Sequence, residues 1–320
     1  MLKTDHLADC WQGRVDTEDA ELSRRIHQQI TYDTLPDDFD GQPVLLGFAS
    51  DEGVRRNQGR PGAKDGPIAA RQALANLACA SDAQLYDIGD VCCDTDLETA
   101  HQTLSHQVHR LLEQNARPIV LGGGHEVAWG SYSGLRSFLS TQAPNARLGI
   151  LNFDAHFDLR NPNPKPSSGT PFRQAQQWCE ANETPFDYFV CGINPSANTD
   201  ALFEFAYEHD VQWVEDLDCH WGNISNIQSQ LTDWLAPLDA LYITVCLDVF
   251  PAADAPGVSA PSAVGVPPAF VLKLLQTVQG ICEQNETPIL LADVAELNPT
   301  LDLDGRTAKL AARIAYQLMF

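Results

Sequence analysis

Short apolar runs alternate with amphipathic stretches along this chain, and this alternation most constrains how the chain can fold. Eight runs rich in aliphatic and β-branched residues have the length of strands. They span residues 43–49, 84–89, 118–123, 147–154, 187–193, 211–215, 240–250 and 288–297. Helices are predicted at 66–80, 99–116, 125–140, 224–236, 268–284 and 304–320. Near-continuous apolar strands that alternate with helices predict a parallel sheet covered by helices on both faces.

One α/β/α domain covering residues 1–320 accounts for this pattern, with residues 1–40 as an N-terminal extension or cap. The apolar fraction of 44% is enough for a substantial core. The sequence contains no apolar run of transmembrane length, and its first residues lack the apolar segment of a secretory signal. Nine scattered cysteines without a C-x-x-C pair are typical of free thiols in a reducing compartment. We therefore expect a cytoplasmic protein.

The charge of the chain excludes two classes of partner. Its 43 acidic and 20 basic residues give a formal net charge of −23. Such a surface repels nucleic acids and anionic membranes, so we expect neither as a partner. A substrate that carries carboxylates would need arginines placed locally at its binding site.

Polar residues follow several of the predicted strands at the point where each strand ends. In open α/β sheets, ligands bind beyond the carboxyl ends of the strands. The segments found there are GGHE after 118–122, DAHFD after 147–153, CLD after 240–245, Glu296 late in 288–297, and a basic, glycine-rich loop after 43–49. We expect these five segments to meet at one edge of the sheet.

Asp154, His156 and Asp158 alternate directly after a buried strand. In an extended backbone such positions share one face, so the three side chains can converge. Carboxylates and an imidazole suit Mn²⁺ among other divalent ions, and His125 and Asp248 lie at neighbouring strand ends. Because so many ligands exceed the needs of one ion, we predict two ions that hold a hydroxide for attack on an electrophilic carbon.

Four motifs between residues 122 and 299 resemble the motif blocks of the ureohydrolase (arginase–agmatinase) family, in the same order. They are GGGHE, NFDAHFD, CLDVFPAADAPGVSAP and ADVAELNP. The resemblance implies a three-layer α/β/α sandwich with a mainly parallel eight-stranded sheet, two Mn²⁺ per subunit and a homo-oligomer. It places the metal ligands at His125, Asp154, His156, Asp158 and Asp248.

Cys246 stands where this family usually has a further aspartate. We predict it as the sixth metal ligand, coordinating as a thiolate. A thiolate is softer than Mn²⁺ prefers, so the alternative is that the second ion is weakly held.

Other departures from arginases point to an anionic substrate. Phe172 replaces the histidine that shuttles protons in arginases, and Arg160 follows the metal ligands where arginases have a small polar residue. A guanidinium binds a carboxylate through two parallel hydrogen bonds. Arg60, with Arg55 and Arg56 in the same loop, extends this anion site.

Two further predictions concern the substrate site. Asn194 is an additional candidate for binding substrate, as is Asn198 in the same loop. Glu296 matches a family glutamate that pairs with amidine-type nitrogens of the substrate.

This combination resembles the formimidoylglutamase branch of the family. It implies metal-dependent hydrolysis of N-formimidoyl-L-glutamate to L-glutamate and formamide, in histidine degradation. Asp158 would move a proton to the departing amine, and Glu296 would stabilise the tetrahedral intermediate. Two alternatives stay open, an agmatinase or guanidino-acid hydrolase that releases urea and a metal-binding homologue without catalysis.

Overall fold

A nine-stranded sheet, parallel in every ladder, runs through the part of the chain that this computed structural model describes, residues 2–18, 20–79 and 83–320. In chain order its strands are β1 (Ile30–Thr31), β2 (Pro43–Ala49), β3 (Leu85–Cys92), β4 (Arg117–Leu121), β5 (Leu148–Phe153), β6 (Asp187–Ile193), β7 (Gln212–Glu215), β8 (Ala240–Cys246) and β9 (Ile289–Ala295). Their spatial order is β1-β3-β2-β4-β9-β8-β5-β6-β7.

Helices lie before, between and after these strands. They are α1 (Leu7–Cys10), α2 (Glu52–Arg56), α3 (Gly66–Ala75), α4 (Leu97–Glu113), α5 (Val127–Gln142), α6 (Pro171–Ala181), α7 (Asp200–Glu208), α8 (Ile224–Leu235), α9 (Pro268–Asn285) and α10 (Arg306–Met319). Among the residues described, no helix combines the length and apolarity needed to cross a bilayer.

Both faces of the sheet are buried, as the sequence predicts. Successive residues of one strand point to opposite faces, so Leu45 and Leu46 enter two different apolar clusters. Ile243 and Tyr242 of β8 divide in the same way. One cluster packs α3, α8, α9 and α10 against the sheet, and the other packs α4, α5 and α6. The three-layer α/β/α architecture is therefore confirmed.

The sheet has nine strands where eight were predicted. The additional strand, β1, is two residues long and pairs with β3 at the sheet edge. Two residues carry no readable periodicity, which explains why the sequence pattern did not predict it. Helices α1, α2, α6 and α7 also lie outside the predicted set. Helix α6 begins at Pro171, and proline is common both in the first turn of a helix and in loops.

The predicted N-terminal extension packs on this edge of the sheet. The Trp11 indole donates to Asp87 at 2.9 Å, and the backbone of Lys3 forms an antiparallel bridge with Asp90. Fully buried Arg71 pairs with both aspartates, with each N–O distance 2.6 Å. Residues before β2 therefore supply a strand and part of the core.

His101, on α4, gives the stability of the fold a specific pH dependence. Its ring is buried and stacks on Phe48. Burial lowers the pKa of His101 to about 4, although the backbone of Glu126 opposes the shift. Because the unfolded chain takes up the proton near pH 6.5, the folded chain loses stability as the pH falls from about 6.5 to 4.

We expect His101→Leu to reduce the loss of unfolding free energy between pH 7 and pH 5 by about 2 kcal/mol. Urea unfolding at the two pH values measures this difference. His106→Leu, at an exposed position of the same helix, should keep the parent's pH dependence. Equal pH dependence in the His101 variant and the parent would exclude this histidine as the cause.

Candidate metal centre

Four adjacent strands deliver predicted metal ligands and the predicted substrate-binding Glu296 to one edge of the sheet. His125 follows β4, Asp154 follows β5, Cys246 ends β8, and Glu296 follows β9. These strands are consecutive in the order β4-β9-β8-β5, so their carboxyl ends lie side by side. These residues converge because all four strands run in the same direction and end at the same edge of the sheet.

The backbone at this edge adopts unusual conformations. A Cβ atom at Gly123 would lie 1.8 Å from the carbonyl oxygen of Ser50, so the turn before His125 requires glycine. Asp158 and Glu296 have φ angles of 50° and 71°, in the left-handed region that non-glycine residues seldom occupy. Such strain concentrates at functional sites.

The extended backbone predicted across Asp154, His156 and Asp158 is wrong. Strand β5 ends at Phe153, and the following residues bend until Asp158 reaches its left-handed conformation. A bent loop, and not strand alternation, therefore brings the three side chains together.

Two overlapping groups of side chains could each hold an ion, with their ligand atoms all within 4.8 Å of one another. One group is His125, Asp154 and Cys246, and the other is Asp154, His156 and Asp248. Asp158 extends the first group, since its Oδ2 lies 3.0 Å from His125 Nδ1. Asp154 is common to both groups, so it could contribute to both ion sites.

The chemistry of this cluster fits divalent cations. Its carboxylates and imidazoles are ligands that Mn²⁺ accepts, whereas the Cys246 thiol is softer. Asp248 Oδ1 is buried and has no hydrogen-bond partner in the described part of the chain. A buried carboxylate oxygen without a partner is costly unless a cation binds it.

The two imidazoles offset part of the negative charge of the cluster. Burial opposes protonation of His125, but Asp154 and Asp158 outweigh it and raise the histidine's pKa well above its ordinary value. Burial likewise opposes ionisation of Asp154, yet contacts with His125 and His156 lower its pKa. Protons on the imidazoles thus supply the positive charge that metal ions would bring, and metal binding would release them.

Burial raises the pKa of two other acids in the centre. The pKa of Asp158 rises to about 6, with a further contribution from Asp154. The pKa of Glu296 rises to about 8, with further contributions from Asp248 and Glu126. A cation placed among these groups would favour their ionised forms.

A buried relay fixes the orientation of the His125 ring. The Thr244 hydroxyl donates to Asp293 Oδ1 at 2.5 Å, so its oxygen is free to accept a hydrogen bond from His125 Nε2 at 2.9 Å. Tyr242 also donates to Asp293. With Nε2 as the donor, the lone pair of neutral His125 lies on Nδ1, which faces Asp154 and Asp158.

We expect Thr244→Val to weaken Mn²⁺ retention about 10–100-fold, because it removes the acceptor that orients His125. Titration of the metal-free chain with Mn²⁺ measures the change. Thr232→Val, which alters an exposed hydroxyl on α8, is the matched control and should bind metal like the parent. Unchanged affinity in the Thr244 variant would show that the relay has no influence on the metal.

Three residues that support the metal ligands were not predicted from the sequence, namely Thr244, Asp293 and Asn152. Asn152 Nδ2 donates to Asp154 Oδ2 at 3.1 Å and so holds the shared carboxylate in place. All three are polar residues inside otherwise apolar strands. Because buried polar groups need partners, a polar residue inside an apolar strand indicates a hydrogen bond to a neighbouring polar group, here a metal ligand or its partner.

A cavity of about 320 Å³ opens above the cluster. Of the residues predicted for the site, those that line it are Arg60, His125, His156, Asp158, Arg160, Asn198, Cys246, Asp248 and Glu296. Asp154 lies beneath them, fully buried. Asn194 is absent from the lining, and its side-chain oxygen accepts from Ser196 in a turn.

Two arginines of the predicted anion site, Arg160 and Arg60, line the cavity. Arg160 is exposed at the cavity, and its guanidinium has no ion pair or hydrogen bond with any residue described. Arg60 also lines the cavity, but two of its nitrogens donate to the carbonyls of Val258 and Ser259.

Arg55 and Arg56 face carboxylates of the protein itself. Arg55 pairs with Asp51 and Glu52, and Arg56 pairs with Glu52 and Glu98. Neither residue lines the cavity.

Phe172 packs behind the ligands. Its ring meets His125 edge to face, with the ring centroids 5.3 Å apart, and stacks on Tyr188. Phe172 is fully buried, so the apolar ring supports His125 from the side away from solvent.

A parallel sheet covered by helices on both faces is the fold of an α/β protein. The carboxylates and imidazoles at the carboxyl ends of its strands form a candidate metal centre. A family model described as the Arginase family matches residues 42–320. The chain therefore belongs to the Arginase family, and the predicted family is confirmed.

Individual relatives agree with this assignment. Formimidoylglutamase of Hahella chejuensis is 44% identical over 308 residues, which cover 96% of this chain and 93% of that protein. Formimidoylglutamase of Aeromonas hydrophila is 46% identical over 312 residues, covering 97% and 96%. The structure of Trypanosoma cruzi formiminoglutamase with Mn²⁺ matches with a TM-score of 0.77 at 26% identity, covering 93% of this chain and 97% of that one.

Proposed function

We propose that this chain hydrolyses N-formimidoyl-L-glutamate to L-glutamate and formamide, with two Mn²⁺ ions as cofactors. The observation that carries the proposal is that one cavity joins the metal cluster to the Arg160 guanidinium, which has no partner among the described residues, and to a buried carboxylate, Glu296. The substrate has the complementary groups, two carboxylates and an amidine. Relatives named formimidoylglutamase, 44% and 46% identical over nearly the whole chain, support the same substrate.

The two groups of the cluster would each hold one of the two ions. His125, Asp154, Asp158 and Cys246 would hold one ion, and Asp154, His156 and Asp248 the other. When bound, divalent ions of this kind supply a water that ionises near neutral pH and stabilise developing negative charge. Cys246 is the weakest member of the set because thiolates prefer softer metals.

Glu296 and Arg160 orient the substrate between them. Glu296 Oε1 accepts from the backbone of His125 at 3.0 Å, while Oε2 is buried without a hydrogen-bond partner in the described structure. Oε2 is therefore free to accept from the amidine nitrogens. Arg160 binds a carboxylate of the glutamyl part, and Arg60 adds positive charge to the lining of the same cavity.

Asp158 moves the proton that cleavage requires. Hydrolysis breaks the bond between the formimino carbon and the glutamate nitrogen, which must gain a proton to leave as an amine. The Asp158 carboxylate lines the cavity beside the other metal ligands, and this position supports its role in passing a proton from the attacking water to the leaving nitrogen. Proton transfer of this kind contributes about 10²–10⁴-fold to the rate.

An assay of products on three substrates tests the proposal. The Mn²⁺-loaded chain is incubated separately with formimidoylglutamate, agmatine and a guanidino acid, and formamide and urea are both measured. We expect formamide and glutamate from the first substrate alone. Urea from either of the others would replace the proposal with a ureohydrolase reaction. A metal-loaded chain that acts on none of the three would favour the non-catalytic alternative.

A further inference from the structure

Glu126, next to His125, is a buried acid outside the metal cluster. Its carboxyl is 1% exposed. Oε1 accepts from the Ser50 hydroxyl and from the backbone N–H of Gly53, both at 2.9 Å. Glu126 is the residue before α5, so its backbone is fixed by the helix that follows the metal loop.

The protein makes space for this carboxyl with two glycines. A Cβ atom at Gly53 would lie 2.3 Å from the Glu126 carboxyl carbon, and one at Gly124 would lie 2.1 Å from its Oε2. Any side chain at either position would displace the acid. The contact between Glu126 and residues 50–53 therefore requires glycine at both Gly53 and Gly124.

Residues 50–62, here called the entrance loop, include the short helix α2 and connect this contact to the cavity. Asp51 accepts from the Gly62 backbone at 2.8 Å and so ties the two ends of the entrance loop together. Between those ends, Asn57, Gln58, Gly59 and Arg60 line the cavity. Glu126 therefore holds the first part of a loop whose later part forms one wall of the cavity.

The entrance loop also contacts two other segments that line the cavity. Asn57 donates to the Ser168 hydroxyl at 3.2 Å. Arg60 donates through Nε to the carbonyl of Ser259 at 2.8 Å. Displacement of the entrance loop would therefore disturb residues that line the cavity but do not belong to the metal cluster.

We propose that Glu126 is a positioning residue that fixes the entrance loop relative to His125 and so sets the affinity for the part of the substrate distant from the reacting carbon. The kinetic part of this inference rests on the proposed function. Glu126 itself does not line the cavity, so it acts through the entrance loop.

Hydrogen exchange tests the positioning directly, without any substrate. In the full chain, Glu126→Ala should increase amide exchange of the entrance loop about tenfold or more, because both hydrogen bonds to Oε1 are lost. Glu126→Gln retains an acceptor oxygen and should exchange like the parent. Ser50→Ala, which removes one donor, provides an intermediate case should the alanine variant fold poorly. Parent-like exchange in both Glu126→Ala and Ser50→Ala would overturn the proposal.

Kinetics then separate positioning from a structural effect on the metal centre. For formimidoylglutamate, Glu126→Ala should raise KM about tenfold or more while kcat and Mn²⁺ content change little, and Glu126→Gln should restore KM. For an N-alkylformamidine without carboxylates, the alanine variant should match the parent. Glu204→Ala, at an exposed position of α7, is the control. A fall in kcat and metal content at constant KM would show that Glu126 acts on the ligands instead. A parent inactive on formimidoylglutamate would refute the proposed function, while the exchange result would still decide the positioning role.

Discussion

Replacing Asp154 with asparagine is expected to lower the rate of formamide release about 10³-fold or more, and to remove bound metal. Asp154 is the one residue common to both ligand groups, so its loss weakens both ions at once. Metal ions contribute several kcal/mol to such reactions, and each 1.36 kcal/mol corresponds to a factor of ten in rate. Asparagine keeps the size of the side chain but removes the negative charge that attracts a cation.

Two measurements are needed for this variant. Mn²⁺ content after dialysis should fall well below that of the parent, and turnover should fall with it. Asp233→Asn, at an exposed position of α8, is the matched control and should leave both unchanged. An Asp154→Asn chain that retained two ions and parent turnover would refute the assignment of Asp154 as the shared ligand.

Replacing Glu296 with glutamine is expected to lower kcat/KM about 10²–10³-fold with the metal content unchanged. Glu296 Oε2 is buried, has no hydrogen-bond partner among the residues described, and is the acceptor proposed for the amidine. Glutamine removes the charge of this buried group. The glutamine oxygen can still accept from the His125 backbone, as Oε1 does at 3.0 Å. The fold of the metal loop should therefore persist.

Steady-state kinetics with formimidoylglutamate at saturating Mn²⁺ measure this effect. Glu204→Gln provides a control for the same chemical change at an exposed position. If kcat/KM stays within a factor of a few of the parent, the carboxylate has no role in binding the amidine. If the metal is lost together with activity, Glu296 acts on the ligands and not on the substrate.

The sequence carried most of the architecture because parallel strands buried on both faces leave a strong apolar signal. Strands β2 and β6 have the predicted bounds, 43–49 and 187–193, and the predicted ligands meet because they end adjacent strands. The order of strands in the sheet, by contrast, depends on pairing between distant segments. Local periodicity contains no information about that order.

The details of the site depended on contacts that no motif encodes. Arg55 and Arg56 were grouped with Arg60 because they share a loop, but nearby carboxylates pair with them and leave Arg60 at the cavity. The left-handed backbone at Asp158 was likewise unreadable, since spacing alone favoured an extended strand. Charge partners and local backbone geometry are set by tertiary packing.

Reconstitution of the metal-free chain with Mn²⁺ tests the central claim most directly. Formamide release from formimidoylglutamate is measured while bound Mn²⁺ per chain is counted. We expect activity to rise with metal occupancy and to reach its maximum at two ions per chain. Full formamide release from a chain shown to hold no divalent ion, or no release from a chain holding two, would contradict the proposed two-ion hydrolysis.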